Sequence, residues 1–166
     1  LNTYLVSLQG HRGDLAEFKT VTSKQWLEDL FRGYCQLTAL NKPVFFVGYS
    51  LGALLGVRLL TDQDEVRFQA MALFAPAFAV HSYVKLLKVA QILSRDWVLP
   101  ARTPEPYRAN WGTPVGAYME TFELMNGLDL SNKSKLQIPS LIVLDPDDEL
   151  IDLEATQVLV DENNLN

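Results

Sequence analysis

Five consecutive residues, Gly48-Tyr49-Ser50-Leu51-Gly52, carry the types and spacing best suited to chemistry in this chain. A serine hydroxyl is a weak nucleophile, so it must be held out where a base can reach it. A sharp turn between a strand and a helix does that. The two glycines are expected to leave room for the turn, because a Cβ at Gly48 or Gly52 would press on neighbouring backbone. The N–H of Leu51, at the start of the helix, can face a developing oxyanion with help from the helix dipole. A nucleophile and an oxyanion donor together are equipment for acyl transfer. The plainer reading is a glycine-flanked turn with a solvated serine, and the flanking sequence argues against it. Val44 to Val47 reads as a buried strand, and Leu51 to Leu60 is an apolar run of good helix formers.

The elements that must position the serine follow from the same periodicities. Thr3 to Leu8 reads as a short buried strand, followed by the turn-rich loop Gln9-Gly10-His11-Arg12-Gly13-Asp14. Thr22 and Gln25 have the spacing of a capping box, and Leu27, Leu30, Phe31, Tyr34 and Leu37 continue at helical spacing. That helix is expected to end near Leu40. The helix after the serine is apolar nearly all round and should be buried, with Gly56 allowing close approach to the sheet. Gln69 to Ala75 is a further strand, stopped by Pro76. His81 to Arg95 has the pattern of an amphipathic helix, and a stretch dense in proline and aromatics follows to Pro114. Val115 to Met125 reads as a helix. Ile138 to Leu144 reads as a strand opened by Pro139, where a missing N–H is tolerable. Asp145-Pro146-Asp147-Asp148-Glu149 is an acidic loop, and a last helix starts near Asp152.

Alternating strands and helices predict an α/β fold, a mostly parallel sheet covered on both faces. Ligands in such sheets bind at the carboxyl ends of the strands. Ser50, His11, His81 and the acidic loop all fall at those ends.

The totals narrow the function classes. At 166 residues the chain is one domain or part of one. It is 48% hydrophobic and 20% charged, enough to form a core. A net charge of −6 without a lysine or arginine cluster argues against nucleic-acid binding. No apolar stretch reaches the roughly 18 residues of a membrane span. The single cysteine, Cys35, excludes an intrachain disulfide and is expected to be packed within its helix. No metal-ligand cluster or phosphate-binding glycine loop is present, so no metal or cofactor is expected. No signal peptide is visible, and compartment and oligomeric state are left open.

With these motifs in hand, the chain resembles the α/β-hydrolase superfamily, and within it the serine esterases and monoacylglycerol-lipase-like enzymes. Four pieces carry the resemblance. Leu8 to Asp14 is similar to the loop after the family's fourth strand. Gly48 to Gly52 is similar to its nucleophile elbow. The segment from His81 to about Leu128 sits where the family inserts a helical cap, dividing the chain into core (1–80), cap (81–128) and core again (129–166). Pro139 to Ile151 is similar to the strand and loop bearing the triad acid. The resemblance implies Ser50 as nucleophile, the Leu51 N–H as oxyanion donor and Asp148 as triad acid. Asp145 stands where the family has glycine, which makes Asp145 and Asp147 alternative acids. It further implies His11, Tyr49 and His81 as residues lining the substrate site.

The family order is serine, then acid, then histidine, yet no histidine follows Asp148. The family's third strand, which carries a second oxyanion donor, lies between its fourth and fifth. Without it, Thr3–Leu8 and Val44–Val47 would flank an unfilled lane of costly unpaired backbone groups. The expectation is that these residues are the middle of a longer hydrolase. The resemblance implies an acyl-enzyme on Ser50 and a small-molecule, lipid-like carboxylic ester as substrate. The apolar residues Val84, Leu87 and Leu93, with Trp97, Trp111 and Phe122, would then meet the acyl group or simply bind the cap to the core. A non-catalytic binding module, and a thioesterase or peptidase, are the alternatives.

Overall fold

A computed structural model describes residues 2–86, 94–101, 104–130, 133–163 and 165. Three parallel strands form the central sheet in the order β1-β2-β5: β1 is Phe46–Tyr49, β2 is Met71–Phe74 and β5 is Ser140–Val143. The expected strands at 44–47, 69–75 and 138–144 thus appear, the first running on to Tyr49.

Two long helices precede and follow β1. Helix α2, Ser23–Thr38, opens on the capping box read from the sequence: Thr22 Oγ1 accepts from Gln25 N–H, and Gln25 Oε1 accepts from Thr22 N–H. Helix α3, Leu51–Asp62, buries Ala53, Leu54, Leu55, Gly56, Val57, Leu59 and Leu60. Each such leucine contributes about 1.5–3 kcal/mol of transfer free energy. Gly56 lies so close to the Phe46 ring that a Cβ would overlap it. A further helix, α1, spans Leu15–Thr20 and was not expected. Asp14 caps it, its Oδ1 accepting from the N–H groups of Ala16 and Glu17. The later helices are α4, Val115–Asn126, α5, Lys133–Leu136, and α6, Leu153–Asn163.

Several expectations are corrected. Residues 2–8 join no ladder, so the strand expected at Thr3–Leu8 is absent. A strand exists through its neighbour's hydrogen bonds, and β1 pairs only with β2 among the described residues. The segment packs on α2 instead: a Cβ on Gly33 would stand 2.8 Å from Val6 and 3.0 Å from Tyr4. Of the amphipathic helix expected over 81–95, the described residues show a 3₁₀ turn at Val84–Leu86 and no helix at 94–95. Residues 87–93 of that expectation, Leu87 and Leu93 included, lie outside the described residues. The proline-rich stretch contains an antiparallel ribbon of β3, Val98–Pro100, and β4, Gly112–Pro114. Cys35 is exposed, since α2 buries Trp26, Asp29, Leu30 and Gly33 along another face.

The sheet is not covered on both faces among the described residues. Register aligns Val47 with Ala72 and Leu141, and Tyr49 with Phe74 and Val143. Alternation sends these six to one side. Val47 is 71% exposed and Leu141 58%. The opposite side, with Met71 and Leu73, is buried in the core shared with α3.

Candidate active site

Ser50 ends β1 and begins α3 with φ 49° and ψ −115°. That is glycine territory for an L-residue, and holding serine there costs on the order of 1–3 kcal/mol. The surrounding backbone enforces it. Ser50 N–H donates to Phe74 O at 2.8 Å, and Ser50 O accepts from Ala53, Leu54 and Ala77 at 3.1, 3.2 and 3.2 Å. Gly48 permits the turn, because a Cβ there would stand 2.7 Å from the Ala53 backbone. Gly52 has nothing within 4 Å of a built Cβ, so the crowding expected on that side is not found.

Serine at a helix N-cap ordinarily caps with its own hydroxyl. Here the side chain makes no capping bond. The hydroxyl is left over for other use. Leu51 is the first residue of the helix, where N–H groups lack intrahelical acceptors.

The segment after β2 links this turn to the acidic loop. Ala75 also has a positive φ, 43°, and its N–H donates to Val143 O at 2.8 Å. Ala77 bonds to Ser50, Asp152 N–H donates to Ala79 O, and His81 N–H donates to Leu150 O. Val80 and Ile151 form an antiparallel bridge. Residues 75–81 therefore run from the serine turn to the acid loop.

Within that loop the aspartates do different work. Asp145 Oδ1 accepts from Asp147 N–H, and Asp145 and Asp147 are both exposed. Asp148 is half-buried, and its Oδ1 accepts from Leu150 and Ile151 N–H at 2.8 and 2.9 Å. One oxygen is thereby fixed, leaving Oδ2 with no protein hydrogen bond among the described residues. That arrangement suits Asp148 to orient an imidazole better than its neighbours.

His81 stands against the same loop. Its Nε2 lies 3.3 Å from Asp148 O and its Nδ1 3.9 Å from the Asp152 carboxylate, with Tyr83 stacked on the ring. His11 is elsewhere. It packs on Phe18 and Trp26, with ring centroids 4.7 and 5.7 Å away. Desolvation by those rings lowers its pKa, opposed by the bond to the Gln9 carbonyl. No hydrogen bond joins His11 or His81 to Ser50 among the described residues. Tyr49 falls on the open sheet face, beside Phe74.

Sequence reasoning missed the groups that pin the His11 loop. Gln9 N–H donates to buried Asp29, Gly10 N–H to Glu17, Trp26 Nε1 to Gln9 O and Asn110 to Gly10 O. Only the Asp14–Glu17 spacing, a helix-start signal, could have announced part of this. Val84 and Phe122 are core residues, while Trp97 and Trp111 are exposed, so this group does not line a common acyl cavity. A cavity of about 240 Å³ lies between α2 and the far end of α3, lined by Leu27, Phe31, Leu59 and Gln63 among others, remote from Ser50 in the helix.

A parallel sheet, a strained serine at a strand-to-helix turn and an acidic loop after a later strand define an α/β-hydrolase. The chain belongs to the family described as serine aminopeptidase, S33, which matches residues 7–106. No curated protein matches the sequence. Among solved structures, the fold is similar to that reported for the metagenome-derived lipolytic enzymes LipS and LipT. The TM-score is 0.74 at 19% identity, covering 93% of this chain and 64% of that one. It is also similar to a monoacylglycerol lipase from Paleococcus ferrophilus, with TM-score 0.62 at 18% identity, covering 86% of this chain and 61% of that one. A soluble variant of monoglyceride lipase from Saccharomyces cerevisiae gives a TM-score of 0.64 at 14% identity, covering 92% and 62%. The chain thus spans less than two thirds of the length of each of these structures.

Proposed function

We propose that this chain carries the nucleophile half of a serine hydrolase acting on carboxylic esters with a lipid-like acyl group. Ser50 attacks the ester carbonyl, the Leu51 N–H stabilises the oxyanion, and the resulting acyl-enzyme is cleaved by water. Asp148 orients a histidine base through its unused oxygen. Neither His11 nor His81 bonds to Ser50. The reading therefore takes the base to be a histidine after Asp148 in the longer protein, and these residues alone to be impaired in turnover. The observation that carries the proposal is the φ of 49° at Ser50, held by four backbone hydrogen bonds with the hydroxyl uncommitted.

The ester preference is supported by the lipolytic enzymes sharing the fold. The family description supports a peptidase as the second reading. Aliphatic p-nitrophenyl esters of graded length, set beside aminoacyl p-nitroanilides, separate the two on a polypeptide extended past Asp148 to include a histidine. The proposal expects ester turnover rising with chain length and a loss of about 10⁴-fold or more in Ser50→Ala. Turnover untouched by Ser50→Ala would overthrow it.

A further inference from the structure

His81 sits where the segment 75–81 meets the acid loop. Its backbone N–H donates to Leu150 O at 3.0 Å, beside the Val80–Ile151 bridge. Its ring faces the loop at both nitrogens. Nε2 lies 3.3 Å from Asp148 O, within hydrogen-bond reach. Nδ1 lies 3.9 Å from the Asp152 carboxylate, beyond that reach. Tyr83 stacks on the ring, with centroids 5.5 Å apart and planes 13° from parallel. A carbonyl oxygen only accepts, so the contact to Asp148 requires the hydrogen to be on Nε2.

The two aspartates are placed for different work. Asp152 Oδ1 accepts from Ala155 N–H at 3.0 Å and caps the start of α6. Asp148 is held in three ways. Its N–H donates to Asp145 O at 3.2 Å, and its Oδ1 accepts from Leu150 and Ile151 N–H. These bonds tie the loop to itself. The third, from the His81 ring to the Asp148 carbonyl, ties it to the segment whose Ala77 N–H bonds Ser50 O.

We infer that His81 is a positioning residue: its Nε2 bond to Asp148 O fixes the peptide that carries the acid, and so fixes where Oδ2 points. His81 then acts through Asp148 rather than on the substrate, a role that rests on the reading of Asp148 as the acid orienting the base.

Amide side chains separate the two ring contacts. A glutamine amide nitrogen can take the place of Nε2, and an asparagine one the place of Nδ1. On the polypeptide extended to a histidine past Asp148, p-nitrophenyl butyrate gives the readout. His81→Ala and His81→Asn should each lower kcat about tenfold with KM unchanged, because a small misplacement of a catalytic group is costly. His81→Gln should restore most of that loss. In an Asp148→Ala background, His81→Ala should cost nothing further, since the two act as one unit. Rescue by asparagine and not glutamine overturns the proposal and assigns the ring to Asp152. Losses that add in the double variant overturn it too. A loss in Asp148→Ala with none in His81→Ala removes the role of His81 alone. No loss in Asp148→Ala, with Ser50→Ala inactive, removes the reading of Asp148 and the role of His81 with it.

A second measurement needs no turnover. In the 166-residue chain, hydrogen exchange at the Leu150 and Ile151 amides, both bonded to Asp148 Oδ1, reports how firmly the acid is held. Exchange there should quicken about tenfold in His81→Ala and His81→Asn but not in His81→Gln, with one melting temperature throughout. Exchange unchanged in His81→Ala overturns the placement whatever the activity.

Discussion

Ser50 is held in a conformation that serine does not choose, and its stability cost is separable from its chemistry. Ser50→Gly relieves the positive φ and should raise unfolding free energy by about 1 kcal/mol in urea titration while removing the nucleophile. Gly48→Ala should do the reverse, destabilising by about 1–3 kcal/mol, because its Cβ would press on the Ala53 backbone. Both glycines were expected to be steric necessities, and only Gly48 is one. The difference lies in tertiary neighbours that the pentapeptide does not encode. His11 gives a pH signature. Its folded pKa lies below the ordinary 6.5 through partial desolvation where the ring packs on Phe18 and Trp26, although the residue keeps an exposed side, so the effect is small. The unfolded chain therefore binds its proton first, and stability falls as pH drops through 6.5 towards the lower folded value. The urea midpoint should decline across that window and do so less in His11→Gln.

Elements whose signals are local were legible in the sequence. The Thr22–Gln25 capping box, the buried helix after Ser50 and the helix from Val115 all form as their patterns imply. Elements that depend on partners were not. Thr3–Leu8 has a strand's composition but no neighbour to bond, so it lies on α2. The ribbon was hidden by Pro100 and Pro114, which read as loop residues. They are tolerated because bonds run through pairs 97–115 and 101–111, leaving the proline pairs where no N–H is required. Glu120, buried on α4, joins elements far apart in sequence: it accepts from Ser23 N–H at the start of α2 and pairs with Arg95 at 2.6 Å. Glu120→Ala should cost about 1.5–3 kcal/mol in chemical unfolding.

At the scale of the whole molecule, the open sheet face sets the behaviour of the isolated chain. Parallel sheets are ordinarily covered on both faces, yet Phe45, Val47, Tyr49, Leu141 and Val143 meet solvent here. A patch of this kind invites association. Val47→Lys with Leu141→Lys should lower binding of a hydrophobic dye and reduce self-association in light scattering. The acid loop and the serine turn, read from the sequence as ends of separate strands, both hydrogen-bond to the segment 75–81, a connection no motif announced. Their joint chemistry is the central claim. The direct test is intact-mass spectrometry with an alkyl fluorophosphonate on the polypeptide extended to a histidine past Asp148. One adduct, mapped to Ser50 and absent in Ser50→Ala, is the expected result. No adduct, or one on another residue that persists in Ser50→Ala, would contradict the account.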